Sequence, residues 1–211
     1  MNWFAKLFGI FSLLIFGGCQ SAPKITELGG EGVWSGTAQI KDLKTNKTRS
    51  LNLEIYAIKG SESVEQKLRL EGSAFMGTPV IALVADPQNT TFVLFQSKAY
   101  YDGPTSAQVF KPLLHLPLHP SWVVNLLFAE PFRGHGWSCS FDEKKSIRKC
   151  QQKESHLEAS WKTNEVAERK IQIHHPKAEI NLTLKMTQPK VEDKEQVFTL
   201  HPPTSFRRLA L

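Results

Sequence analysis

Alternation of apolar and polar residues predicts β-strands through the first half of the chain. It begins between residues 32 and 40, where Trp34, Ala38 and Ile40 alternate with polar neighbours. A period of two places these side chains on one face of a half-buried strand. Similar alternation or short apolar runs follow, and the further predicted strands of this half are 51–57, 67–72, 79–85, 90–96 and 99–101.

Helical spacing replaces the alternation between residues 106 and 130. Apolar residues three or four positions apart are Val109, Phe110, Leu113, Leu114, Trp122, Val123, Leu126 and Leu127. Pro117 and Pro120 separate the two groups, and proline is excluded from a helix interior. The pattern predicts two short helices with a break at the prolines, and with His119 or Ser121 near the start of the second.

Strand patterns return after Pro131 and complete the predicted fold. The predicted strands are 137–141, 147–152, 157–161, 169–173, 180–186 and 197–200. About eleven short strands joined mostly by tight turns predict a mainly β protein with one large antiparallel sheet. Because a twisted sheet of that size curls, we expect a half-open barrel. The two helices are the remaining apolar elements, so we expect them to plug the concave face and to leave room for a hydrophobic cavity.

The N-terminal residues predict export and lipid attachment. Residues 1–18 contain one charge, Lys6, and an apolar run of ten residues, which has the length of a secretory signal. The run ends at Gly17-Gly18-Cys19, which resembles the lipobox of bacterial lipoproteins. That resemblance implies cleavage before Cys19, acylation of Cys19 with fatty acids such as palmitate, a tether over 19–30 and a single domain over 31–211. The alternative is an ordinary secreted protein in which Cys19 is incidental.

The two residues after Cys19 bear on the membrane that holds the anchor. Gln20 and Ser21 occupy the positions where an Asp marks lipoproteins that stay in the inner membrane. By the same resemblance, we expect an outer-membrane anchor with the domain facing the periplasm.

Composition and charge narrow the classes of partner. The chain has 211 residues, of which 41% are hydrophobic and 22% charged, enough for one globular domain with a sizeable core. It has 26 basic and 20 acidic residues and a formal charge of +6. Because no block of five or six like charges occurs, the basic residues indicate a solvated surface. We therefore expect no nucleic-acid partner.

Cys139 and Cys150 flank a predicted hairpin with a polar turn at Glu143–Ser146. In an oxidising periplasm a disulfide across this hairpin is expected. If the two cysteines face each other, Phe141 faces Arg148, and the alternation of the second strand becomes irregular.

No pattern in the sequence predicts catalysis. His115 and His119 are four residues apart, but Pro117 lies between them and no carboxylate is placed to complete a metal site. Nucleophile motifs, phosphate loops and paired catalytic carboxylates do not occur. The sequence therefore predicts a protein that is not an enzyme, with no metal and no cofactor.

Several segments in order resemble LolB, the outer-membrane receptor of the LolA/LolB family. They are Lys67–Gly72, Phe75-Met76-Gly77, the strands to Gln96 with Tyr100, Phe110–Leu118, Trp122–Leu127 and Val197–Pro203. The resemblance implies a LolA/LolB-like domain whose cavity binds the acyl chains of lipoproteins or other lipids. It also implies a LolA-like periplasmic carrier as the donor, and insertion of the cargo into the outer-membrane bilayer.

The resemblance also assigns site residues. Phe75 and Met76 occupy the family's exposed apolar turn, which helps to deliver cargo to the membrane, although one of them could instead fold back onto the sheet. The inward positions assigned to the cavity are Trp34, Ile40, Leu51, Leu53, Ile55, Leu68, Leu70, Leu113, Trp122, Leu126 and Leu127. Plain core packing is the alternative for these residues.

Two hypotheses about function therefore stay open. The first is a membrane-anchored acceptor of acylated lipoproteins. The second is a binding, regulatory or scaffold lipoprotein that uses the same curved sheet for another amphiphile or a protein partner. In the second case, the outer face around Lys144, Lys145, Arg148 and Lys149 would make the contact.

Overall fold

The structure, a computed structural model, describes residues 28–211, so the predicted signal segment and Cys19 lie outside the described residues. The strands are β1 (Glu31–Asp42), β2 (Thr48–Ile58), β3 (Lys67–Ser73), β4 (Pro79–Ala85), β5 (Asn89–Leu94), β6 (Ala99–Pro104), β7 (Trp137–Phe141), β8 (Ile147–Gln152), β9 (Leu157–Glu165), β10 (Glu168–His175), β11 (Ala178–Gln188) and β12 (Arg207–Arg208). The helices are α1 (Lys111–Leu114), α2 (Pro120–Phe128) and α3 (Lys194–Val197), and one 3-10 turn covers Phe75–Gly77.

All twelve strands belong to a single curled sheet that does not close. Their order is β12-β6-β5-β4-β3-β2-β1-β11-β10-β9-β8-β7, which leaves β12 and β7 as the two edges. Neighbouring strands are antiparallel except for β12, which is parallel to β6. The prediction of a mainly β protein with a large curled antiparallel sheet and short helices is confirmed.

The prediction of a last strand over Val197–Leu200 is wrong. Val197 ends α3, and the final strand is formed by Arg207 and Arg208 instead. The guanidinium of Arg69 donates to the carbonyl oxygens of Val197 and Thr199, at 2.7 and 3.0 Å. Because a side chain of β3 binds these carbonyls, residues 197–200 lie against the sheet without forming backbone hydrogen bonds to a strand.

The register of the sheet brings two glycines into one row with large apolar residues. Gly36 of β1 lies opposite Leu53, and Leu53 lies opposite Gly72 of β3. A Cβ atom on Gly36 would lie 1.9 Å from the carbonyl oxygen of Thr183 in β11, far inside van der Waals contact. The close approach of β1 and β11 therefore requires glycine at this position.

The helices α1 and α2 lie against the concave face, as the helical spacing predicts. Pro120 is the first residue of α2, and His115 ends α1 in a left-handed conformation with φ of 57°. The buried residues of α2 are Pro120, Val123, Val124, Leu126, Leu127 and Phe128. Within residues 28–211, no helix is both long enough and apolar enough to cross a membrane.

The predicted disulfide joins β7 to β8. Cys139 lies directly opposite Cys150, with their Cα atoms 4.1 Å apart. The expected pairing of Phe141 with Arg148 is wrong, since Phe141 lies opposite Ile147. A register shift between Ser140 and Phe141 absorbs one residue of β8, which explains the irregular alternation there.

Replacement of Gly36 by alanine tests the close approach of β1 and β11. The added methyl group forces the backbones apart, so we expect the free energy of unfolding to fall by about 1–3 kcal/mol. Urea denaturation measures this change. Gly30→Ala is the matched control, because no atom lies within 4 Å of its added Cβ. Equal stability of the two variants would contradict the packing of this row.

Candidate functional site

An entirely apolar cavity of about 60 Å³ lies between the concave face of the sheet and the helices. The concave face of six neighbouring strands, β4, β3, β2, β1, β11 and β10, lines the cavity, and α1 and α2 form the cover. Eight of the predicted cavity residues line it, namely Ile40, Leu51, Leu53, Ile55, Leu70, Leu113, Leu126 and Leu127.

Three residues assigned to the cavity lie elsewhere. Trp34 packs edge-on against Phe128, with ring centroids 6.5 Å apart, in the core beyond the cavity. Leu68 is fully buried next to the hairpin of β4 and β5 and does not line the cavity. Trp122 is on the side of α2 that faces β7 and stacks on Phe132 at 6.0 Å. A two-residue or helical period identifies the inward side but not the position along the sheet, which explains these three differences.

Sequence reasoning missed the wall formed by the C-terminal strands. Its residues are Ile173, Ile180, Leu182 and Leu184, and further lining residues are Ala38, Ile81, Phe110, Leu114, Leu118 and Val123. The alternation of residues 180–186 was a usable signal for this wall. Only the pairing of β11 with β1, however, brings Ile180 opposite Ile40 and so to the cavity.

A wider pocket of about 410 Å³, here called the mouth, continues the cavity at one end of the sheet. Four residues line both spaces, namely Ile40, Leu51, Leu113 and Leu114. The other residues of the mouth are mostly polar and come from four turns with their flanking strand ends and from the end of α1: Asp42, Thr45, Lys47, Arg49, Ser50, Ala74, Phe75, Val80, Gln96, His115, Lys177 and Ala178. The cavity therefore has an opening, and its apolar interior changes to a polar rim there.

Phe75 and Met76 project from the turn between β3 and β4 at the edge of the mouth. Both side chains are 87% exposed, so neither folds back onto the sheet. The turn is closed by the N–H of Ala74, which donates to the carbonyl of Thr78 at 2.8 Å. Met76 has a positive φ of 61°, a conformation that costs energy for a residue with a side chain. The backbone thus presents two large apolar side chains to solvent.

A buried arginine fastens the C-terminal end of α2 to the sheet. Arg169 of β10 is 2% exposed, and its Nε donates to the carbonyl of Leu127 at 2.9 Å. The indole Nε1 of Trp161 donates to the carbonyl of the preceding residue, Leu126, at 3.1 Å. The last turn of a helix has free carbonyls and a partial negative charge, so a cation is favourable there.

The remaining contacts of Arg169 satisfy its charge inside the core. Its Nη1 donates to the carbonyls of Glu165 and Glu168, and the guanidinium lies 5.4 Å from the ring centre of Trp34. Burial lowers the pKa of Arg169 to about 10, so the side chain remains charged at neutral pH. A buried charge requires such compensation, and here carbonyl oxygens and an aromatic face provide it.

The helix α1, which borders the mouth, is held differently. It is four residues long, and Leu113 and Leu114 contact the cavity through apolar side chains. In the part of the chain that the structure describes, no hydrogen bond joins Lys111–Leu114 to a strand. The helical cover is therefore fixed at the far end of α2 and held only by side-chain packing at the mouth.

His119 caps the start of α2. Its Nδ1 accepts a hydrogen bond from the backbone N–H of Ser121 at 3.2 Å and lies 2.7 Å from the hydroxyl of Ser121. Burial lowers the pKa of His119, which keeps the ring neutral and leaves Nδ1 able to accept. The histidine therefore has a structural role at the break between the two helices.

The fold and the site define a class, an open curled antiparallel sheet that holds an apolar pocket under short helices. Comparison with protein-family models and with curated proteins finds no match. A DUF1329 family protein from Desulfovibrio piger is similar in structure, with a TM-score of 0.50, 9% identity, and coverage of 82% of this chain and 91% of that one. A domain assigned to outer membrane lipoprotein sorting from Vibrio parahaemolyticus has a TM-score of 0.49 and 10% identity, with coverage of 82% of this chain and 94% of that one. The likeness to the Desulfovibrio protein is one of fold alone.

Acidification is expected to weaken the cap of α2. Because the pKa of His119 in the folded chain lies below its ordinary value of 6.5, the unfolded chain takes up the proton first as the pH falls. The stability that the neutral cap contributes is thus present above pH 6.5 and is lost as the pH falls through that value towards the folded pKa. Urea unfolding at pH 7.5 and pH 5.5 measures the loss.

The matched variant for this prediction is His119→Asn, since asparagine caps a helix without titrating in this range. We expect a smaller loss of stability on acidification in the variant than in the unsubstituted chain. The pKa of His175 is also lowered by burial, but His175 is present in both proteins and does not affect the difference. The same pH dependence in both would contradict the role of His119.

Proposed function

We propose that the chain is a lipid-anchored, LolB-like acceptor that binds the acyl chains of lipoproteins and releases them into the outer membrane. The observation that carries the proposal is the all-apolar cavity that opens into a mouth beside two exposed apolar side chains. Each methylene that leaves water for such a cavity contributes about 0.8 kcal/mol. Transfer from cavity to bilayer is nearly neutral, so cargo can move on without an energy source.

The size of the cavity requires the helical cover to move when cargo enters. The volume of the cavity, about 60 Å³, is well below that of ordinary ligand pockets, roughly 300–1,000 Å³. An acyl chain needs a volume in the larger range. We propose that α1 swings outward from the mouth while Arg169 and Trp161 hold the end of α2 in place. Because α1 contacts the sheet through apolar side chains alone, an acyl chain can replace those contacts at small cost.

The exposed turn is proposed to contact the bilayer. Phe75 lines the mouth and, like Met76, points into solvent, so insertion of this turn would bring the opening of the pocket to the membrane surface. Burial of a large apolar side chain contributes about 1.5–3 kcal/mol, enough for transient contact but not for permanent attachment.

Permanent attachment is proposed to come from Cys19. By its lipobox resemblance, an acylated Cys19 would hold the domain at the outer membrane, facing the periplasm, within reach of a LolA-like carrier. Stable anchoring takes more than one chain, which the acylation of lipoproteins supplies.

The substitution Leu113→Gln tests whether acyl chains enter through the mouth. Leu113 is half-buried and lines both the mouth and the cavity, so an amide there places a polar group in the path of the chain. We expect about tenfold weaker binding of a fluorescent fatty acid, about 1.4 kcal/mol, in a titration of the chain from Gln20 onward.

The control for this titration is Lys111→Gln, an exposed position of the same helix that lines neither space. It is expected to bind the probe within about twofold of the unsubstituted chain. Absence of saturable binding by the unsubstituted chain would contradict the proposed function.

Phe75→Glu and Met76→Glu test the exposed turn in delivery. A carboxylate at the tip opposes insertion into the bilayer but meets no core, so we expect normal folding and at least about tenfold less cargo delivered. Fractionation of an acylated lipoprotein between its carrier and the membrane measures delivery. Phe141→Glu is the control, because Phe141 is also exposed, at 53%, but lies on the edge strand β7. Unchanged delivery by the tip variants would contradict this role.

A further inference from the structure

Three basic side chains line the mouth. Lys47 lies in the turn between β1 and β2, Arg49 lies at the start of β2, and Lys177 lies in the turn between β10 and β11. Arg49 is directly opposite Ile40 in the sheet, and paired residues share a face. Arg49 therefore continues the inward row of Leu51 and Leu53, so a cation follows directly where the apolar lining ends.

These basic groups are not neutralised by the protein. Among residues 28–211, none of Lys47, Arg49 and Lys177 forms an ion pair with a carboxylate. The one acidic residue of the mouth is Asp42, whose carboxylate accepts from the backbone N–H groups of Lys44 and Thr45, both at 2.8 Å. Three cations against one carboxylate leave the mouth with a net positive charge.

One buried side chain beside the mouth, His175, is affected in part by a cation of the mouth. The pKa of His175, two residues before Lys177, is lowered by burial first and then by the charges of Lys177, His156 and His174. The smaller contribution of Lys177 to this pKa has the sign expected where cations outnumber carboxylates. The same environment favours the binding of an anion.

We infer that the mouth binds the anionic headgroup of a phospholipid whose acyl chains enter the cavity, an inference that rests on the proposed function. A headgroup phosphate is joined to its acyl chains through a short glycerol linker, and in the protein the cations likewise border the apolar lining at Arg49 and Leu51. The acylated cysteine of a lipoprotein carries no phosphate. The site therefore extends the ligands of the pocket from lipoproteins to anionic phospholipids.

Photolabelling in vesicles tests the inference with the full chain. The protein is placed in phosphatidylcholine vesicles that contain a trace of either phosphatidylglycerol or diacylglycerol, each with the same diazirine-tagged acyl chain. Irradiation followed by mass spectrometry gives the yield of adducts on cavity-lining peptides. We expect about tenfold more labelling by phosphatidylglycerol than by diacylglycerol.

The double variant Arg49→Gln with Lys177→Gln is expected to lose this preference while it keeps its labelling by diacylglycerol. The matched control is Lys44→Gln with Lys153→Gln, which removes the same charge from turns at the same end of the sheet but outside the mouth. The control is expected to keep the preference. Loss of the preference in both double variants, or in neither, would contradict a local headgroup site.

The other outcomes separate this inference from the proposed function. Equal labelling by both lipids would overturn the headgroup site and leave acyl-chain binding intact. Absence of cavity adducts from either lipid would overturn the proposed function itself. Excess glycerol 3-phosphate is expected to change the labelling by phosphatidylglycerol by no more than about twofold. Complete loss of that labelling would indicate a soluble phosphate ligand and contradict the lipid assignment.

Discussion

The arrangement of the site depends on one buried cation, the guanidinium of Arg169. It binds the last turn of α2 and lies on the face of Trp34, so the strand β10, the core of β1 and the helical cover meet at a single group. Displacement of this end of α2 would take the carbonyl of Leu127 away from a guanidinium that stays buried, and an unmet donor of that kind costs about 1–3 kcal/mol. The cover is thereby given one fixed end.

The opposite end of the cover is held by much weaker constraints. The contact of α1 with the sheet is apolar and non-directional, and lipid can replace such contacts without loss of hydrogen bonds. The end of the cover with the weaker contacts, α1, lies at the opening, next to the turn that carries Phe75 and Met76. Under the proposed function, movement of α1 would let one pocket accept acyl chains of different lengths.

Much of this fold can be predicted from the sequence, since its determinants are local. The period of two in the strands, the helical spacing of residues 106–130 and the proline break each depend on neighbouring residues. The lining residues of β2, such as Leu51 and Leu53, follow from the same alternation. Trp34, Leu68 and Trp122 do not line the cavity, because a two-residue or helical period specifies a face, and tertiary packing decides which part of that face remains open.

The basic mouth could not be predicted in this way. Lys47, Arg49 and Lys177 are separated by up to 130 positions in sequence and lie among many scattered lysines. Only the pairing of β11 with β1 brings the two turns together, where Asp42 lies opposite Ala178. Alternation places Arg169 on the same face as Ile171 and Ile173, but only the packing of α2 against the sheet brings the carbonyl of Leu127 to its guanidinium.

The most direct test of this account measures movement of the helical cover when lipid binds. Spin labels at Lys111 of α1 and Thr48 of β2 report the mouth, and a second pair at Arg133, after α2, and Lys162 of β9 reports the fixed end. With a saturating fatty acid, the account predicts a longer distance across the mouth and an unchanged distance at the fixed end. Saturable binding with no change across the mouth, or with equal changes in both pairs, would contradict it.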